Sequence, residues 1–160
     1  MAHTTTDMAD VFQPRVILMT GVAGFIASHV LDGALMTWPT VKVIGVDKVS
    51  PYSNIRNMEQ ARTLAPERFH FVQADVASTW HMLDLLKTHH VDTVMHFAAE
   101  THVDRSFNNA EHFIQNNIVG TYHLLEACRR YGKIERFYNQ STDECYGSAK
   151  EAERSEEHTS

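Results

Sequence analysis

The chain is poor in cysteine, with two in 160 residues, Cys128 and Cys145, which excludes a disulfide framework. It lacks the apolar run of ~20 residues that a membrane-spanning helix needs, and no apolar segment of the signal-peptide kind precedes Arg15. It also lacks an excess of positive charge. Lys and Arg number 14 against 20 Asp and Glu, a net charge of −6, which argues against nonspecific nucleic-acid binding as the main activity. No internal repeat is present. Met1 to Gln13 is polar and without periodicity, so residues 1–14 read as a mobile leader, and the expected compartment is the cytosol. With 43% hydrophobic and 21% charged residues, what remains has the make-up of one globular domain with a real core.

The stretch Arg15 to His29, RVILMTGVAGFIASH, organises the rest. An apolar run meets Thr20-Gly21, turns through Gly24 and continues with a helical apolar pattern. That predicts the first strand, phosphate-binding turn and first helix of a nucleotide-binding α/β domain. Gly21 permits the tight turn, Gly24 lets the backbone approach a pyrophosphate, and the helix N-terminus offers free N–H groups to the anion. Ala27 stands where the third glycine of the fingerprint would fall, and Ala still permits close helix-to-strand packing. The competing reading is an ordinary strand, turn and helix.

Downstream, strands and helices alternate. A helix from about Phe25 to Met36 is broken at Trp38-Pro39-Thr40, and Val41 to Asp47 is a β-branched second strand ending in an acid. Asp47 follows Gly24 by about the 20 residues at which an acid binds the adenosine ribose, and an acid there disfavours a 2′-phosphate, so NAD is expected over NADP. Pro51 to Asn54 is turn material, and a short helical segment runs to Leu64 before Pro66. Phe69 to Val76 reads as the third strand, with Asp75 at its carboxyl end, and Thr79 to Thr88 as a helix capped by Ser78 or Thr79. Val91 to Phe97 is the fourth strand, running into Ala98 and Ala99, small residues against which a flat cofactor can lie. From Ala110 to Tyr131, the residues Phe113, Ile114, Ile118, Tyr122, Leu124, Leu125 and Cys128 are spaced for one buried face, and Gly132 ends the helix. Ile134 to Ser141 is the fifth strand, in which Asn139 and Gln140 are unusually polar for a buried parallel strand. The fold class is α/β, a Rossmann-type doubly wound parallel sheet with right-handed crossovers and its ligand at the strands' carboxyl ends.

Three segments carry a family resemblance: Thr20-Gly21-Val22-Ala23-Gly24-Phe25-Ile26-Ala27-Ser28-His29, then His96-Phe97-Ala98-Ala99-Glu100-Thr101-His102-Val103-Asp104-Arg105-Ser106, then Ser141-Thr142-Asp143-Glu144-Cys145-Tyr146-Gly147. Together they resemble the extended short-chain dehydrogenase/reductases and, within them, the nucleotide-sugar 4,6-dehydratases acting on dTDP-glucose or UDP-glucose. The resemblance covers about Arg15 to Gly147. Related epimerases and decarboxylases share the glycine turn and the Ala-Ala strand end, but usually carry small or hydroxylated residues in place of Asp143-Glu144. The resemblance implies bound NAD, hydride removal from the sugar C4, loss of water across C5 and C6, and return of the hydride to C6. By the same resemblance Glu144 removes the C5 proton, Asp143 protonates the departing C6 hydroxyl, and Thr142 hydrogen-bonds the C4 oxygen. Asp143 must then be protonated near neutral pH, which burial and a second carboxylate bring about. Gly21, Gly24, Phe25 and Ile26 are implied at the pyrophosphate, Asp47 and Lys48 at the adenosine ribose, and Asp75 and Val76 at the adenine. Phe97, Ala98 and Ala99 line the cofactor further along, Thr101 reaches cofactor or substrate, and Asn116 stands at a cofactor position where the family commonly has Thr. Val22 and Cys145 also depart from the pattern, replacing a usual Gly or Ala and a usual Val.

The family's Tyr-x-x-x-Lys pair lies on a helix beyond the Asp-Glu motif. Tyr146-Gly147-Ser148-Ala149-Lys150 matches its spacing, but Gly147 and Ser148 are poor helix formers and Tyr146 belongs to the strand-end motif. Residues 15–150 are therefore expected to be an incomplete NAD-binding domain, inactive alone, without the last strands and the substrate domain. Residues 151–160 form a tail, and Arg154 to Ser160 are what AGA TCG GAA GAG CAC ACG TCT encodes, a common sequencing-library adapter, so they are expected to be foreign to the natural protein. The histidines form no ligand spacing with Cys, so no metal is expected, and Ser141 has no Gly-x-Ser-x-Gly elbow. The implied partners are a nucleotide-sugar substrate and a second copy in a homodimer built on long helices, of which Ala110 to Tyr131 is one, with no nucleic acid and no membrane. Two alternatives stay open: a truncated protein that binds NAD without catalysis, and a nucleotide-sugar 4-epimerase or decarboxylase of the same fold.

Overall fold

A computed structural model describes residues 12–51, 53–101, 110–142 and 145. Strand β1 (Val16–Thr20) is an unbroken apolar run, and it lies at the centre because only there can both faces and both edges of such a run be covered. It pairs in parallel with β2 (Lys42–Asp47) on one side, Ile17 opposite Val43, and with β4 (Thr93–His96) on the other, Ile17 opposite Thr93. Strands β3 (Phe69–Gln73) and β5 (Arg136–Asn139) extend the sheet outward, giving the order β3-β2-β1-β4-β5. The chain builds outward from β1 through β2 to β3, then returns across β1 to begin β4. That reversal opens a crevice at the carboxyl ends of β1 and β4, and the fold is the Rossmann-type doubly wound sheet.

The alternation of side chains divides the core in two. Ile17, Met19, Val43 and Phe69 face α1 (Phe25–Thr37), a 3-10 turn (Ile55–Met58) and α2 (Glu59–Leu64), packing on Leu31, Leu35, Met58 and Ala61. Leu18, Val46 and Val94 face α3 (Thr79–Thr88) and the long helix α4 (residues 110–131), packing on Met82, Leu83, Leu86, Leu124 and Ala127. At the amino end of the sheet the buried Asp92 carboxylate accepts from the Arg15 and Val16 backbone N–H groups, from Arg15 Nε at 2.9 Å and from the Thr93 hydroxyl at 2.8 Å. This ties β1 to β4 at the end away from the crevice.

Helix α4 departs from the sequence-based expectation. It begins as α-helix (Ala110–Phe113), widens to a π-helical stretch (Ile114–Val119) in which Gly120 N–H reaches back to Gln115 O, and resumes as α-helix (Gly120–Tyr131). The single buried face expected for it is not formed. Gly120, Leu124 and Ala127 are buried against the sheet and α3, while Ile114, Ile118, Tyr122 and Leu125 are between 46% and 64% exposed, so of the expected large residues Leu124 alone is fully buried. Neither expected cap holds α3 either. No side chain caps it at Ser78, and the Thr79 hydroxyl instead meets His123 Nδ1 on α4 at 2.7 Å. Strand β3 ends at Gln73, so Asp75 sits in the following turn, its Oδ1 accepting from Ala77 N–H at 2.8 Å. Asn139 and Gln140 are exposed at β5, the outermost strand on that side among the described residues.

Candidate functional site

The crevice has a volume of about 320 Å³ and is floored by the turn between β1 and α1. Gly21 adopts a φ of +73°, and a Cβ there would stand 2.8 Å from Ala98 N and 2.9 Å from Phe97 C, so no other residue lets the turn pass beneath the strand-end loop. Gly24 is the N-cap of α1. No side chain caps it and no acidic residue occupies the first turn, so the amide dipoles at this helix end are open to an anion.

The Asp47 carboxylate at the end of β2 ties the turn to the loop that follows. Oδ2 accepts from Ala23 N–H at 3.1 Å, while Oδ1 accepts from Val49 N–H at 2.7 Å and from the Ser53 hydroxyl at 3.0 Å. These contacts hold Val49 at a φ of 59°, a left-handed conformation costly for a β-branched residue. Lys48 reaches across the crevice: Nζ donates to Asn116 Oδ1 and lies 3.5 Å from Glu100 Oε1, whose side chain is 10% exposed. His112 Nε2 stands 3.4 Å from the same carboxylate oxygen.

The loop after β4 is fixed at both ends by side chains. The Thr20 hydroxyl oxygen accepts from Phe97 N–H and Ala98 N–H, each at 3.2 Å. Asn117 pairs with the Glu100 backbone, accepting from its N–H at 2.8 Å and donating to its carbonyl at 2.9 Å. Between these anchors lies His96, buried, with Nδ1 2.7 Å from Thr20 Oγ1 and Nε2 2.9 Å from Thr121 Oγ1. Thr121 donates its one hydroxyl proton to Asn117 O at 2.7 Å, so it must accept from His96 Nε2–H, and Nδ1 in turn accepts from Thr20. The network assigns the neutral Nε2–H tautomer, and burial lowers the imidazole pKa to about 4, in agreement. The π stretch matters here: its wider turn lets adjacent Asn116 and Asn117 both serve the crevice, one toward Lys48 and one toward Glu100.

Gly21, Gly24, Phe25, Asp47, Lys48, Asp75, Val76, Phe97, Ala98, Ala99, Thr101 and Asn116, all expected at a cofactor, line the one crevice. Ile26 does not line it. It lies exposed on the first turn of α1. Thr142 is exposed after β5 and likewise does not line the crevice, while Asp143, Glu144 and Tyr146 lie outside the described residues. Asn117 stands where the resemblance has an Asn contact, whereas Thr20, Glu100 and Thr121 are not among the expected site residues, although His96 at the strand end signals a partner on each ring nitrogen. Among the described residues, no group of three or more His, Cys, Asp or Glu could hold a metal, and no helix is long and apolar enough to cross a membrane. Burial pushes the Cys128 thiol up to about 11, which makes it a packing residue rather than a nucleophile.

Comparison with known proteins gives concordant results. The family model described as GDP-mannose 4,6 dehydratase matches residues 18–160. A trifunctional UDP-glucose 4,6-dehydratase/UDP-4-keto-6-deoxy-D-glucose 3,5-epimerase/UDP-4-keto-L-rhamnose-reductase of Arabidopsis thaliana is 46% identical over 140 residues, 88% of this chain and 21% of that one. Among solved structures, dTDP-glucose 4,6-dehydratase from Bacillus anthracis in complex with NAD superposes with a TM-score of 0.76 at 29% identity, covering 91% of this chain and 43% of that one. UDP-glucose-4-epimerase from Stenotrophomonas maltophila, with bound NAD and formylated UDP-arabinopyranose, gives 0.78 at 29% identity, covering 89% and 41%. The chain thus spans about a fifth of the plant relative and about two fifths of the two enzymes of known structure.

Proposed function

The chain belongs to the GDP-mannose 4,6 dehydratase family, and from that premise we propose that it is the cofactor-binding part of an NAD-dependent nucleotide-sugar 4,6-dehydratase acting on dTDP-glucose or UDP-glucose. The observation that carries the cofactor assignment is the crevice itself: a glycine turn, an uncapped helix N-terminus and a strand-end carboxylate converge at the reversal of strand order. The described residues fit a dinucleotide. Gly21, Gly24 and the first amides of α1, including those of Phe25 and Ile26, would hold the pyrophosphate, Asp47 and Lys48 the adenosine ribose, and Asp75, Val76 and Asn116 the adenine end. Phe97, Ala98 and Ala99 would bear the rest of the cofactor, with Thr101 between it and the sugar.

The chemistry NAD supplies when bound is hydride acceptance from the sugar C4 and its return at C6. The C4 hydroxyl proton released with that hydride falls to the tyrosine of the family's Tyr-x-x-x-Lys pair, and residues of this chain would handle the protons of the elimination. Glu144 takes the C5 proton, acidified by the adjacent ketone; Asp143 gives its proton to the departing C6 hydroxyl; Thr142 hydrogen-bonds the C4 oxygen. The Asp143-Glu144 pair supports dehydration over the epimerase reading that the Stenotrophomonas enzyme's likeness keeps open. We place the protein in the cytosol and as a homodimer, with Ile114, Ile118, Tyr122 and Leu125 on the exposed side of α4 as the contact.

Calorimetric titration of NAD into the purified chain tests the cofactor reading, with saturable binding expected and absence of heat overturning it. The reaction is tested in the full-length protein with Glu144→Gln: it is expected to form no 4-keto-6-deoxy sugar by NMR while still oxidising C4. Unchanged dehydration would refute the assignment.

A further inference from the structure

The end of β2 carries two opposed signals. Asp47 is the acid that favours a free ribose 2′-hydroxyl, while Lys48, the next residue, is the kind of cation that accommodates a 2′-phosphate. Among the described lining residues Lys48 is the one cation, set beside Asp47, Asp75 and Glu100. A lysine there would be expected to admit NADP, and the structure shows what occupies it.

We propose that Glu100 sets the choice of NAD over NADP by holding the Lys48 ammonium in an ion pair across the crevice, where it can stand beside the uncharged ribose hydroxyls but is not free to neutralise a 2′-phosphate. The inference rests on the dinucleotide reading above and concerns how that site discriminates. Glu100 comes from the loop after β4 and Lys48 from directly after β2, and both line the crevice. Its carboxylate lies 3.5 Å from Nζ, and Asn116 Oδ1 accepts a second hydrogen bond from the same ammonium. Asn116 is itself oriented, because its Nδ2 donates to His112 O at 2.7 Å. The Glu100 carboxylate is held from behind, its backbone fastened by both ends of the Asn117 amide and its Oε1 also near His112. With its side chain 10% exposed, water screens this carboxylate poorly, and withdrawing Lys48 to a phosphate would leave it buried beside a new anion. A 2′-phosphate would therefore meet Asp47 and Glu100 as anions with no second cation among the described lining residues. A 2′-hydroxyl carries no charge and leaves the pair in place. The sequence neighbour of Asp47 is thus neutralised by a residue 52 positions away, and the mixed signal resolves toward NAD.

The test titrates NAD and NADP separately into the wild-type protein, Glu100→Gln, Glu100→Ala, and the double variant Glu100→Gln/Lys48→Met, with circular dichroism confirming the fold of each. Wild type is expected to bind NAD more tightly than NADP. Freeing Lys48 is expected to raise NADP affinity relative to NAD by about tenfold in both single variants, about what one charge-assisted hydrogen bond is worth. Adding Lys48→Met is expected to abolish that gain, because the freed ammonium produces it. An unchanged NAD-to-NADP ratio in a folded Glu100 variant that still binds NAD overturns the proposal and leaves the cofactor site intact. If wild type binds neither dinucleotide, the failure lies in the cofactor reading, and this inference falls with it.

Discussion

His96 shows how much a single side chain can commit. Both ring nitrogens are engaged by threonine hydroxyls, and the imidazole pKa falls from the ordinary 6.5 to about 4, so the unfolded chain binds a proton that the folded one refuses. Stability from this group is complete above pH 6.5 and is lost as pH falls from there toward about 4, by up to about 3 kcal/mol. A series of urea melts should show this loss, with His96→Gln less stable at pH 7 and flatter across the acidic window. Gly21→Ala acts at the same scale. A Cβ forced against Ala98 N at a positive φ should cost about 2 kcal/mol and abolish NAD binding, read by melting and calorimetry. Much of the crevice was legible in sequence because its residues act close to where they stand: Gly21 and Gly24 in one turn, Asp47 at a strand end. Glu100, Asn117 and Thr121 were not legible as a unit, since what unites them is contact between a loop and a helix well apart in sequence.

At the scale of elements, periodicity located all five strands and the principal helices, and it found α3 at its observed bounds, Thr79–Thr88. It failed inside α4. A run with apolar residues at helical spacing does not reveal that the turn widens at Ile114–Val119, nor that the large apolar side chains face outward while Gly120 approaches Val76. The π stretch has a testable consequence. Deleting Gln115 restores a tighter helical count, rotates Asn116 and Asn117 relative to the crevice, and should weaken NAD binding at least about tenfold with helix content retained by circular dichroism. Deep in the same helix, Leu124→Ala should cost about 3 kcal/mol in urea denaturation, as a cavity opens between α3 and the sheet.

At the scale of the molecule, the exposed side of α4 gathers four large apolar side chains, Ile114, Ile118, Tyr122 and Leu125, on a protein that carries net charge −6. If it is the contact between copies, Tyr122→Lys should shift sedimentation from dimer toward monomer in the full-length protein while leaving NAD affinity of the crevice unchanged. An unaltered dimer would place the interface elsewhere. The central position of β1 has a further consequence, in the order of events at the ribosome. Its partner β2 emerges soon after it, so β1, β2 and β3 can assemble with α1 and α2 while translation continues. Its other edge waits until Thr93–His96 has been made, because Ile17 pairs with a residue 76 positions later. Throughout that interval the nascent chain carries an open, apolar strand edge at the middle of its future sheet, and it is then that a chaperone has most to protect.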